Sequence, residues 1–303
     1  MSGKYIITEK LKKINDLKIN RNILLSKYTS FKIGGPADIF ITPYTIESLK
    51  KAIHLINKEN IPYFVLGSGS NIIVSDRGYR GIIIYTAKLN KITGRNNLIF
   101  AQTGITLSRL AEKAQKWGLS GLEFASGIPG SLGGAIYMNA GAYGGEMKKV
   151  IKEVKVLNER GETLTLQGED LEFSYRSSLL QNKSYIAVEA QLHLEKGNKN
   201  KIASLMKKLN QKRREKQPLQ WPSAGSIFKR PADDYAGRLI EEADMKGISV
   251  GDAQVSQKHA GFIINRGNAT ASDVLKLIEK IQKNVYKKSG IKLEVEPRFL
   301  GEF

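Results

Sequence analysis

Two stretches of this chain are so rich in glycine that their backbone could approach a ligand closely. The first, residues 65–71, reads VLGSGSN; the second, residues 121–146, holds eight of the chain's 29 glycines. Glycine tolerates positive φ and close contact with a neighbouring group. Successive N–H groups in such turns form concavities that bind anions. Two such stretches with small hydroxyl side chains predict one dinucleotide held at two places.

The two common phosphate-binding motifs do not fit the first stretch. A P-loop requires Lys followed by Ser or Thr after its second glycine, whereas Gly69 is followed by Ser70 and Asn71. A Rossmann fingerprint requires a third glycine three residues after the second, and that position is Ile72. The sequence therefore predicts a nucleotide-binding fold of another kind.

These stretches and four further segments resemble the bacterial UDP-N-acetylenolpyruvoylglucosamine reductases. One glycine loop alone would be weak grounds, but several separated motifs in the family's order are specific. The resemblance covers the chain from about residue 28 to the C-terminus and rests on residues 28–37 (YTSFKIGGPA), 65–76 (VLGSGSNIIVSD), 126–146 (SGIPGSLGGAIYMNAGAYGGE), 174–176 (SYR), 223–229 (SAGSIFK) and 293–298 (LEVEPR).

The resemblance implies an α+β fold. It consists of a two-lobed FAD-binding module of the vanillyl-alcohol-oxidase (PCMH) type, followed by a C-terminal α/β substrate-binding domain. We place the first lobe at residues 1–85, the second lobe at 86–217 and the substrate-binding domain at 218–303. No insertion fits between Tyr185 and Ser226, so the chain resembles the shorter type that lacks a tyrosine-bearing loop over the substrate.

The spacing of apolar residues predicts the elements that position these loops. Helices are predicted from residue 45 onward and at 107–117, 198–216, 236–243 and 272–288. Strands are predicted at 37–41, 61–66, 82–85, 98–102, 185–194, 261–265 and 291–296, with a hairpin formed by 150–158 and 163–167.

The composition limits the possible locations and metal chemistry. No run approaches the ~20 apolar residues of a membrane span, and residues 1–15 lack the apolar core of a signal peptide. We therefore expect a cytoplasmic protein without membrane insertion. Separately, we expect a monomer. There is no cysteine, and the three histidines show no helical pairing, so we expect no metal site.

The formal net charge of +19 is the most unusual feature of the composition. Strongly basic proteins attract polyanions. The lysines are nevertheless spread along the chain, and no nucleic-acid-binding fingerprint is present. We therefore expect no nucleic-acid partner and interpret the charge as a solvated basic surface. A field that attracts an anionic nucleotide sugar remains a second interpretation.

The resemblance implies a reaction with two half-reactions in one cleft. NADPH reduces the flavin and leaves, and UDP-N-acetylglucosamine-enolpyruvate then accepts hydride and a proton to give UDP-N-acetylmuramate, a peptidoglycan precursor. Reducing an enol ether conjugated to a carboxylate requires stabilisation of the charge that develops beside the carboxylate, and a positioned acid. The resemblance assigns the first task to Arg176 and Glu296, and the second to Ser226.

Each of these three residues has an ordinary interpretation when the residues are taken alone. Arg176 would be a surface arginine, and Ser226 a serine in a turn or at a helix cap. Strand alternation places Glu294 and Glu296 on one face and does not choose between them. The family pattern selects Glu296, two residues before Arg298, although Pro297 stands where the family more often has Val.

Further site residues also follow from the resemblance. Expected substrate contacts are Lys216, Lys229, Arg230 and His259; for His259 a purely structural role remains equally open. FAD is expected to be non-covalent, because no histidine or cysteine lies in an attachment context. Expected FAD contacts are Tyr28, Thr29, Gly67, Ser68, Gly69, Ser70, Asn71, Ser126, Gly127, Gly130, Gly133, Gly134 and Val188.

Two alternative functions remain open at this point. One is a flavoenzyme of the same FAD class that acts on another substrate, against which the segments around Ser226 and Glu296 argue. The other is a basic, non-catalytic protein that binds nucleotides or nucleic acid. A visible absorption spectrum separates the second from both flavoenzymes.

Overall fold

The computed structural model describes residues 3–303. Residues 1 and 2, part of the segment 1–15 in which we expect no signal peptide, lie outside the described residues. The α-helices of the described chain are α1 (Gly3–Leu11), α2 (Ile46–Lys58), α3 (Leu107–Lys116), α4 (Leu132–Tyr137), α5 (Lys199–Lys216), α6 (Ala236–Glu242) and α7 (Ala271–Ser289).

The strands vary in length, and every strand described in the C-terminal third has two or three residues. In chain order they are β1 (Leu17–Leu24), β2 (Pro36–Pro43), β3 (Tyr63–Leu66), β4 (Ile72–Val74), β5 (Tyr79–Tyr85), β6 (Ile92–Arg95), β7 (Leu98–Gln102), β8 (Leu119–Ser120), β9 (Gly141–Ala142), β10 (Gly145–Glu146), β11 (Ile151–Leu157), β12 (Thr163–Gln167), β13 (Ile186–His193), β14 (Glu195–Lys196), β15 (Ser249–Val250), β16 (Ala253–Val255), β17 (Ile263–Asn265) and β18 (Arg298–Leu300).

The chain divides into two compact units, each built from separate stretches. Unit 1 contains the chain up to Arg21 together with Ile39–Ser68 and Gly81–Lys212. Unit 2 contains Asn22–Asp38, Gly69–Arg80 and Arg213–Phe303. The division expected from the sequence, with boundaries after residues 85 and 217, stays a prediction.

The first sheet has the strand order β1-β2-β5-β3, with β3 and β5 parallel. Helix α2 covers it and begins with a capping box, in which Thr45 and Ser48 satisfy each other's backbone N–H groups. The apolar face of α2, including Leu49 and Ile53, packs on Ile82 and other fully buried strand residues. Burying each such side chain stabilises the fold by roughly 1.5–3 kcal/mol.

The second sheet of unit 1 is antiparallel, with the order β12-β11-β13-β7-β6. Helix α3 packs its buried residues Leu107, Leu110 and Ala114 against this sheet. The helix ends at Lys116 with Trp117 as its C-cap, and Gly118 follows with φ +72°, the left-handed conformation that commonly closes a helix. Helix α4 contributes Leu132 and Ile136 to the same core.

Unit 2 is organised around helix α7, whose buried residues recur at helical spacing: Val274, Leu277, Ile278, Ile281 and Val285. A three-stranded antiparallel sheet, β15-β16-β17, and a parallel pair, β4 and β18, complete the unit. Asp76 accepts hydrogen bonds from the N–H groups of Ala271 and Ser272, at 2.8 and 3.1 Å. A carboxylate there stabilises the positive end of the helix dipole.

The structure corrects one predicted strand and adds elements that the sequence did not show. The strand predicted at 291–296 is wrong: the only bridge in that segment among the described residues joins Val295 to Phe228, and the strand lies at β18. Within the described chain, only residues 294–296 of this segment bond to the segment 227–229. Upstream, the Ile291 N–H and the Leu293 carbonyl bond to the side chains of Ser289 and Gln282 on helix α7. Strand β1 was not predicted. Helix α4, which lies inside the second glycine-rich stretch, was not predicted either.

Candidate active site

Arg176 lies in unit 1 at the tip of a tight turn. The N–H and carbonyl groups of Ser174 and Ser177 bond to each other at 3.1 and 3.2 Å, so Tyr175 and Arg176 occupy the two central positions. Arg176 has φ +55°, a conformation that normally favours glycine or asparagine. Its guanidinium lies over the Tyr175 ring, 5.1 Å from the centroid. An arginine in this conformation is under backbone strain, because the left-handed region is unfavourable for a residue with a Cβ.

A buried asparagine, Asn139, fastens this turn to the glycine-rich stretch. Its side-chain amide donates to the carbonyl oxygen of Ser174 at 3.0 Å and to the Glu146 carboxylate at 3.1 Å. Its side-chain oxygen accepts from the N–H of Lys148 at 2.9 Å. Sequence analysis did not select Asn139 as a site residue. The sequence did carry a signal for it: Asn139 is an asparagine among glycines. Among residues other than glycine, asparagine is one of those that best tolerate a positive φ, which is 40° here.

Gln181 adds a second fastening to the same turn. Its amide nitrogen donates to the carbonyl oxygens of Arg176 and Tyr137, each at 2.9 Å. Ser178 also donates to the Tyr137 oxygen at 2.9 Å. The end of α4 therefore holds the turn that carries Arg176, which links two of the predicted segments within unit 1.

The first turn of α4 is already satisfied by protein groups. Leu132 and Gly133 donate their N–H groups to the carbonyls of Ile105 and Thr103, each at 2.8 Å, and Gly134 donates to the Ser131 hydroxyl at 3.4 Å. The predicted FAD residues here therefore offer a cofactor a surface without side chains, rather than backbone donors. Just upstream, Ser126 is buried and donates to the Glu123 carbonyl at 2.9 Å.

Gly67 and Ser68 present a different surface in unit 1. Within residues 3–303, their backbone N–H groups donate no hydrogen bond. A Cβ added at Gly67 would lie 2.2 Å from the Ser131 hydroxyl oxygen, so a side chain there would require Ser131 or the loop to shift. This segment therefore combines available backbone donors with close approach to the cap of α4, as expected of a phosphate-binding loop.

The rest of this loop belongs to unit 2. Gly69 has φ +61°, and a Cβ there would lie 2.1 Å from the Tyr28 carbonyl oxygen. The Gly69 carbonyl accepts from the N–H of Ser30 at 3.0 Å, and the Thr29 hydroxyl donates to the Ile33 carbonyl at 3.0 Å. The predicted residues Tyr28, Thr29 and Gly69 are thus neighbours. Ser70 and Asn71 follow, and the Asn71 carbonyl accepts from the N–H of Arg298.

Val188, another predicted FAD residue, lies in the core of unit 1 with 1% of its surface exposed. Strand β13 has a register shift opposite this residue, between Lys155 and Val156 of β11. The Val188 carbonyl accepts from the N–H of Thr103 at 3.1 Å. Its buried side chain means that it can offer a cofactor backbone atoms only.

Ser226 and Glu296 lie in unit 2 on neighbouring extended segments. The N–H of Glu296 donates to the carbonyl of Ile227 at 2.9 Å, and Val295 pairs with Phe228. On its other side, Ser226 pairs with Phe262, and the N–H of Ile227 donates to the carbonyl of Gly261 at 2.9 Å. The structure thus brings two of the three predicted catalytic residues to the same short patch of paired backbone.

The predicted substrate residues Lys229 and Arg230 each have a protein partner. Lys229 forms an ion pair with Glu294, the glutamate that alternation alone did not separate from Glu296. The Arg230 guanidinium stacks on the Tyr235 ring at 4.1 Å, and its Nε donates to the Asp234 carbonyl at 3.3 Å. Both partners hold cations on the surface of unit 2.

His259 and Lys216 lie close enough in unit 2 to interact electrostatically. Burial lowers the pKa of His259 below its ordinary value, and the charges of Lys246 and Lys216 lower this pKa further. A backbone hydrogen bond of His259 and, more weakly, the charge of Glu241 oppose the effect. At neutral pH His259 is therefore uncharged, and Lys216, exposed at the end of α5, supplies the positive charge of this pair.

Two further observations concern metal ions and membranes. Residues 3–303 contain no group of three or more His, Cys, Asp or Glu side chains that could hold a metal ion. Across the same described range, every helix is too short or too polar to span a bilayer.

Two family models match the chain. Residues 37–167 match the FAD binding domain family. Residues 217–300 match the C-terminal domain of UDP-N-acetylenolpyruvoylglucosamine reductase. These matches confirm the predicted α+β fold with an FAD-binding module followed by a C-terminal domain.

Individual proteins similar to this chain agree with those matches. It is 48% identical over 98% of its length to the UDP-N-acetylenolpyruvoylglucosamine reductase of Clostridium novyi, covering 97% of that protein. It is 50% identical over 98% of its length to that of Caldanaerobacter subterraneus, covering 99% of it.

Solved structures show the same pattern. The reductase from Thermus caldophilus is 36% identical and superposes with a TM-score of 0.83, covering 94% of this chain and 100% of that one. Alkyldihydroxyacetonephosphate synthase, 17% identical with a TM-score of 0.50, shares the fold alone, over 65% of this chain and 41% of its own. Since its likeness to the reductases extends over nearly the whole of both chains, the protein belongs to the UDP-N-acetylenolpyruvoylglucosamine reductase family.

Proposed function

We propose that this chain reduces UDP-N-acetylglucosamine-enolpyruvate to UDP-N-acetylmuramate with FAD and NADPH, in the synthesis of peptidoglycan precursors. The observation that carries this proposal is the match to two reductases over 97% and 99% of their length, with the FAD domain at 37–167 and the reductase C-terminal domain at 217–300. A flavoenzyme of the same fold with another acceptor would not be expected to share the C-terminal domain.

The glycine loops fit a flavin dinucleotide. The free backbone donors of Gly67 and Ser68 suit a pyrophosphate oxygen, and the side-chain-free surface at Gly133 and Gly134 suits a flat ring or its chain. We propose that residues 67–71, together with Ser126, Gly127 and Gly130, hold the cofactor non-covalently. When bound and reduced, this cofactor supplies the hydride that adds to the enolpyruvyl double bond.

The protein's own residues complete the reduction. The guanidinium of Arg176 can grip the enolpyruvyl carboxylate with two N–H groups and stabilise the negative charge that develops beside it. Ser226 is proposed to donate the proton to the carbon next to that carboxylate. An ionised carboxylate would repel the negative charge that develops on the substrate. We therefore propose that Glu296 is protonated at that stage, or that it orients Arg176 or a water.

Cationic residues of unit 2 are suited to the substrate's diphosphate. Lys216 is exposed, and Arg230 presents its guanidinium from a stacked position on Tyr235. Lys229 could exchange its partner Glu294 for a phosphate oxygen, since exposed ion pairs are worth only about 0–1 kcal/mol. We propose these three as phosphate contacts, with no tyrosine-bearing loop over the substrate.

The proposal extends to the organisation and setting of the protein. We propose an FAD-binding module made of lobes at 1–85 and 86–217, a substrate-binding domain at 218–303, a monomer, and a cytoplasmic location. The absence of a membrane-crossing helix from residues 3–303 is compatible with this setting.

The deciding experiment follows the visible spectrum of the purified protein without oxygen. Flavin bands should bleach when NADPH is added and return when UDP-N-acetylglucosamine-enolpyruvate is added. Bands that bleach and do not return would instead indicate a flavoenzyme with a different acceptor. A protein that shows no bands even after FAD is supplied would contradict the cofactor assignment. Acid precipitation should release the flavin into solution, as expected for non-covalent binding.

A further inference from the structure

His259 is half-buried in unit 2, and its ring is committed to the protein. Its Nδ1 accepts a hydrogen bond from the N–H of Gly261 at 3.1 Å. Its ring lies edge-on to Phe262, with centroids 5.0 Å apart. A Cβ added at Gly261 would lie 3.1 Å from the ring, so the residue and the ring fit closely. Because a backbone N–H can only donate, Nδ1 must be unprotonated, and the neutral ring carries its proton on Nε2.

The turn that begins at His259 is the backbone neighbour of Ser226. The N–H of Phe262 closes the turn by donating to the His259 carbonyl at 3.0 Å. The Gly261 carbonyl then accepts from the N–H of Ile227 at 2.9 Å, and Phe262 pairs with Ser226. Gly261 therefore bonds to the imidazole through its N–H group and to the segment of Ser226 through its carbonyl group.

Protonation of the ring would reverse the contact at Nδ1. An imidazolium donates from both nitrogens, so Nδ1–H would face the N–H of Gly261. A hydrogen bond would become a repulsion between two donors, and the turn would have to move to relieve it. Since the turn is paired with residues 226 and 227, its movement would displace Ser226 as well.

Burial is the main reason why the pKa of His259 is lowered, and charged groups surround the ring. Glu241 on α6 and Lys246 just after it are ion-paired at 2.8 Å, and Lys216 approaches from the end of α5. The neighbouring Lys258 donates to the Arg214 carbonyl. Burial, together with the charges of Lys246 and Lys216, outweighs the opposing backbone hydrogen bond of His259 and the charge of Glu241. The pKa of His259 therefore lies below its usual value, and the ring gains a proton only in acid.

We propose that His259 is a positioning residue for Ser226: its neutral ring holds the 259–262 turn, and protonation of the ring releases that turn and withdraws Ser226 from proton transfer. This rests on the proposed role of Ser226 as proton donor. His259 is then a residue that acts through the backbone and sets the acid limit of the reaction.

Two substitutions of His259 distinguish the effect of its hydrogen-bond acceptor from the effect of its positive charge when protonated. His259→Asn places an amide oxygen near the position of Nδ1 and cannot gain a proton, whereas His259→Leu removes the acceptor. His54, exposed on α2 in unit 1, provides the matched control His54→Asn. The measurement is the rate at which pre-reduced holoenzyme is reoxidised by UDP-N-acetylglucosamine-enolpyruvate, from about pH 5 to 8, the range in which histidine titrates.

The wild-type rate should fall as the pH drops below the ordinary histidine range. His259→Asn should restore most of the rate and lose the acid decline, while His259→Leu should be slower by about 10- to 100-fold at every pH, as for a misplaced reacting group. His54→Asn should keep the wild-type profile. An unchanged acid decline in His259→Asn, or a wild-type rate in His259→Leu, would overturn the proposal.

Two spectroscopic readouts do not depend on turnover. Nitrogen-15 spectra of the histidine rings should show His259 protonated on Nε2 at neutral pH. Amide hydrogen exchange at Ile227, which donates to Gly261, should be faster in His259→Leu than in wild type at the same pH, and near wild type in His259→Asn. Wild-type exchange at Ile227 in His259→Leu would contradict the positioning role. If the enolpyruvate fails to reoxidise the wild-type enzyme, the proposed function fails, while these two readouts still decide whether His259 holds the turn.

Discussion

Ser226 and Glu296 are tied together through one backbone hydrogen bond, from the N–H of Glu296 to the carbonyl of Ile227, the residue after Ser226, at 2.9 Å. The pairing of Phe228 with Val295 continues this contact by one step. The positions of the proposed proton donor and the proposed carboxylate therefore depend on the same few residues. Substitutions at the two sites should combine non-additively, as expected for neighbours that share a structural support.

Replacing Ser226 by Ala should separate the two half-reactions. Without its hydroxyl, reoxidation of the flavin by the enolpyruvate should slow by about 10²- to 10⁴-fold, the usual contribution of a positioned acid. Reduction by NADPH needs no such acid and should stay close to wild type. Stopped-flow absorbance measures both steps. The exposed Ser249→Ala is the matched control in unit 2, and equal losses in both half-reactions of Ser226→Ala would contradict the proton-donor role.

Arg176 should show opposite effects on stability and activity. Its left-handed backbone is unfavourable for a residue with a Cβ by roughly 1–2 kcal/mol, whereas glycine avoids this strain. Arg176→Gly should therefore be more stable than Arg176→Ala by about 1 kcal/mol, measured by urea unfolding. Both variants should lose reoxidation by the enolpyruvate. A surface arginine without function would leave that rate unchanged, which would sink the assignment.

Asn139 should matter because it holds the turn of Arg176. Asn139→Ala removes three hydrogen bonds made by a buried amide. Leaving buried groups unpaired costs about 1–3 kcal/mol of unfolding free energy. The variant should also be slower in the enolpyruvate step than in the NADPH step. The exposed Asn268→Ala serves as the control. Wild-type stability in Asn139→Ala would show that the turn does not need this support.

Gly67 should control retention of FAD. The methyl group of Gly67→Ala would lie 2.2 Å from the Ser131 hydroxyl, so either the loop or the cap of α4 must shift. Overpacking of this kind typically costs about 1–3 kcal/mol, and we expect FAD affinity to fall by at least about 10-fold. The double variant Gly67→Ala with Ser131→Ala should recover part of the affinity. Titration of the apoprotein with FAD measures both, and an unchanged Kd in Gly67→Ala would argue against this loop.

The stability of the protein should depend on pH through His259. Its folded-state pKa lies below the ordinary 6.5, so the unfolded chain gains a proton first as the pH falls. The stabilisation is therefore fully present above about pH 6.5 and is lost as the pH falls towards the folded-state pKa. His259→Asn should show a shallower decline in unfolding free energy. Urea unfolding at several pH values tests this, and identical declines in the two proteins would contradict it.

Much of the fold could be predicted because local patterns and tertiary packing agree. Strand β7 falls where alternation places it, and Thr45 and Gly118 mark helix ends as their residue types indicate. Helix α4 could not be predicted, since glycine is a poor helix former. It forms because Leu132 and Gly133 find carbonyl partners at Ile105 and Thr103, which only the folded chain brings near.

The candidate site was less predictable from the residues themselves. A cluster of glycines signals close approach of a ligand, but nothing local distinguishes Arg176 from other arginines, since its unusual φ appears only in the structure. The strand predicted at 291–296 shows the opposite problem: alternation is present, yet the first half of the segment bonds to side chains of helix α7 and not to a strand. The role of Asn139 required knowledge of which turn lies beside it.

The parallel pair of β4 and β18 also affects the order of events during synthesis. Ile72–Val74 directly follows the glycine loop, whereas its partner, Arg298–Leu300, is translated much later. While the ribosome is still at work, the apolar β4 has no strand to pair with on this side. Strand β4 can therefore pair with β18 only after residues 298–300 have been translated.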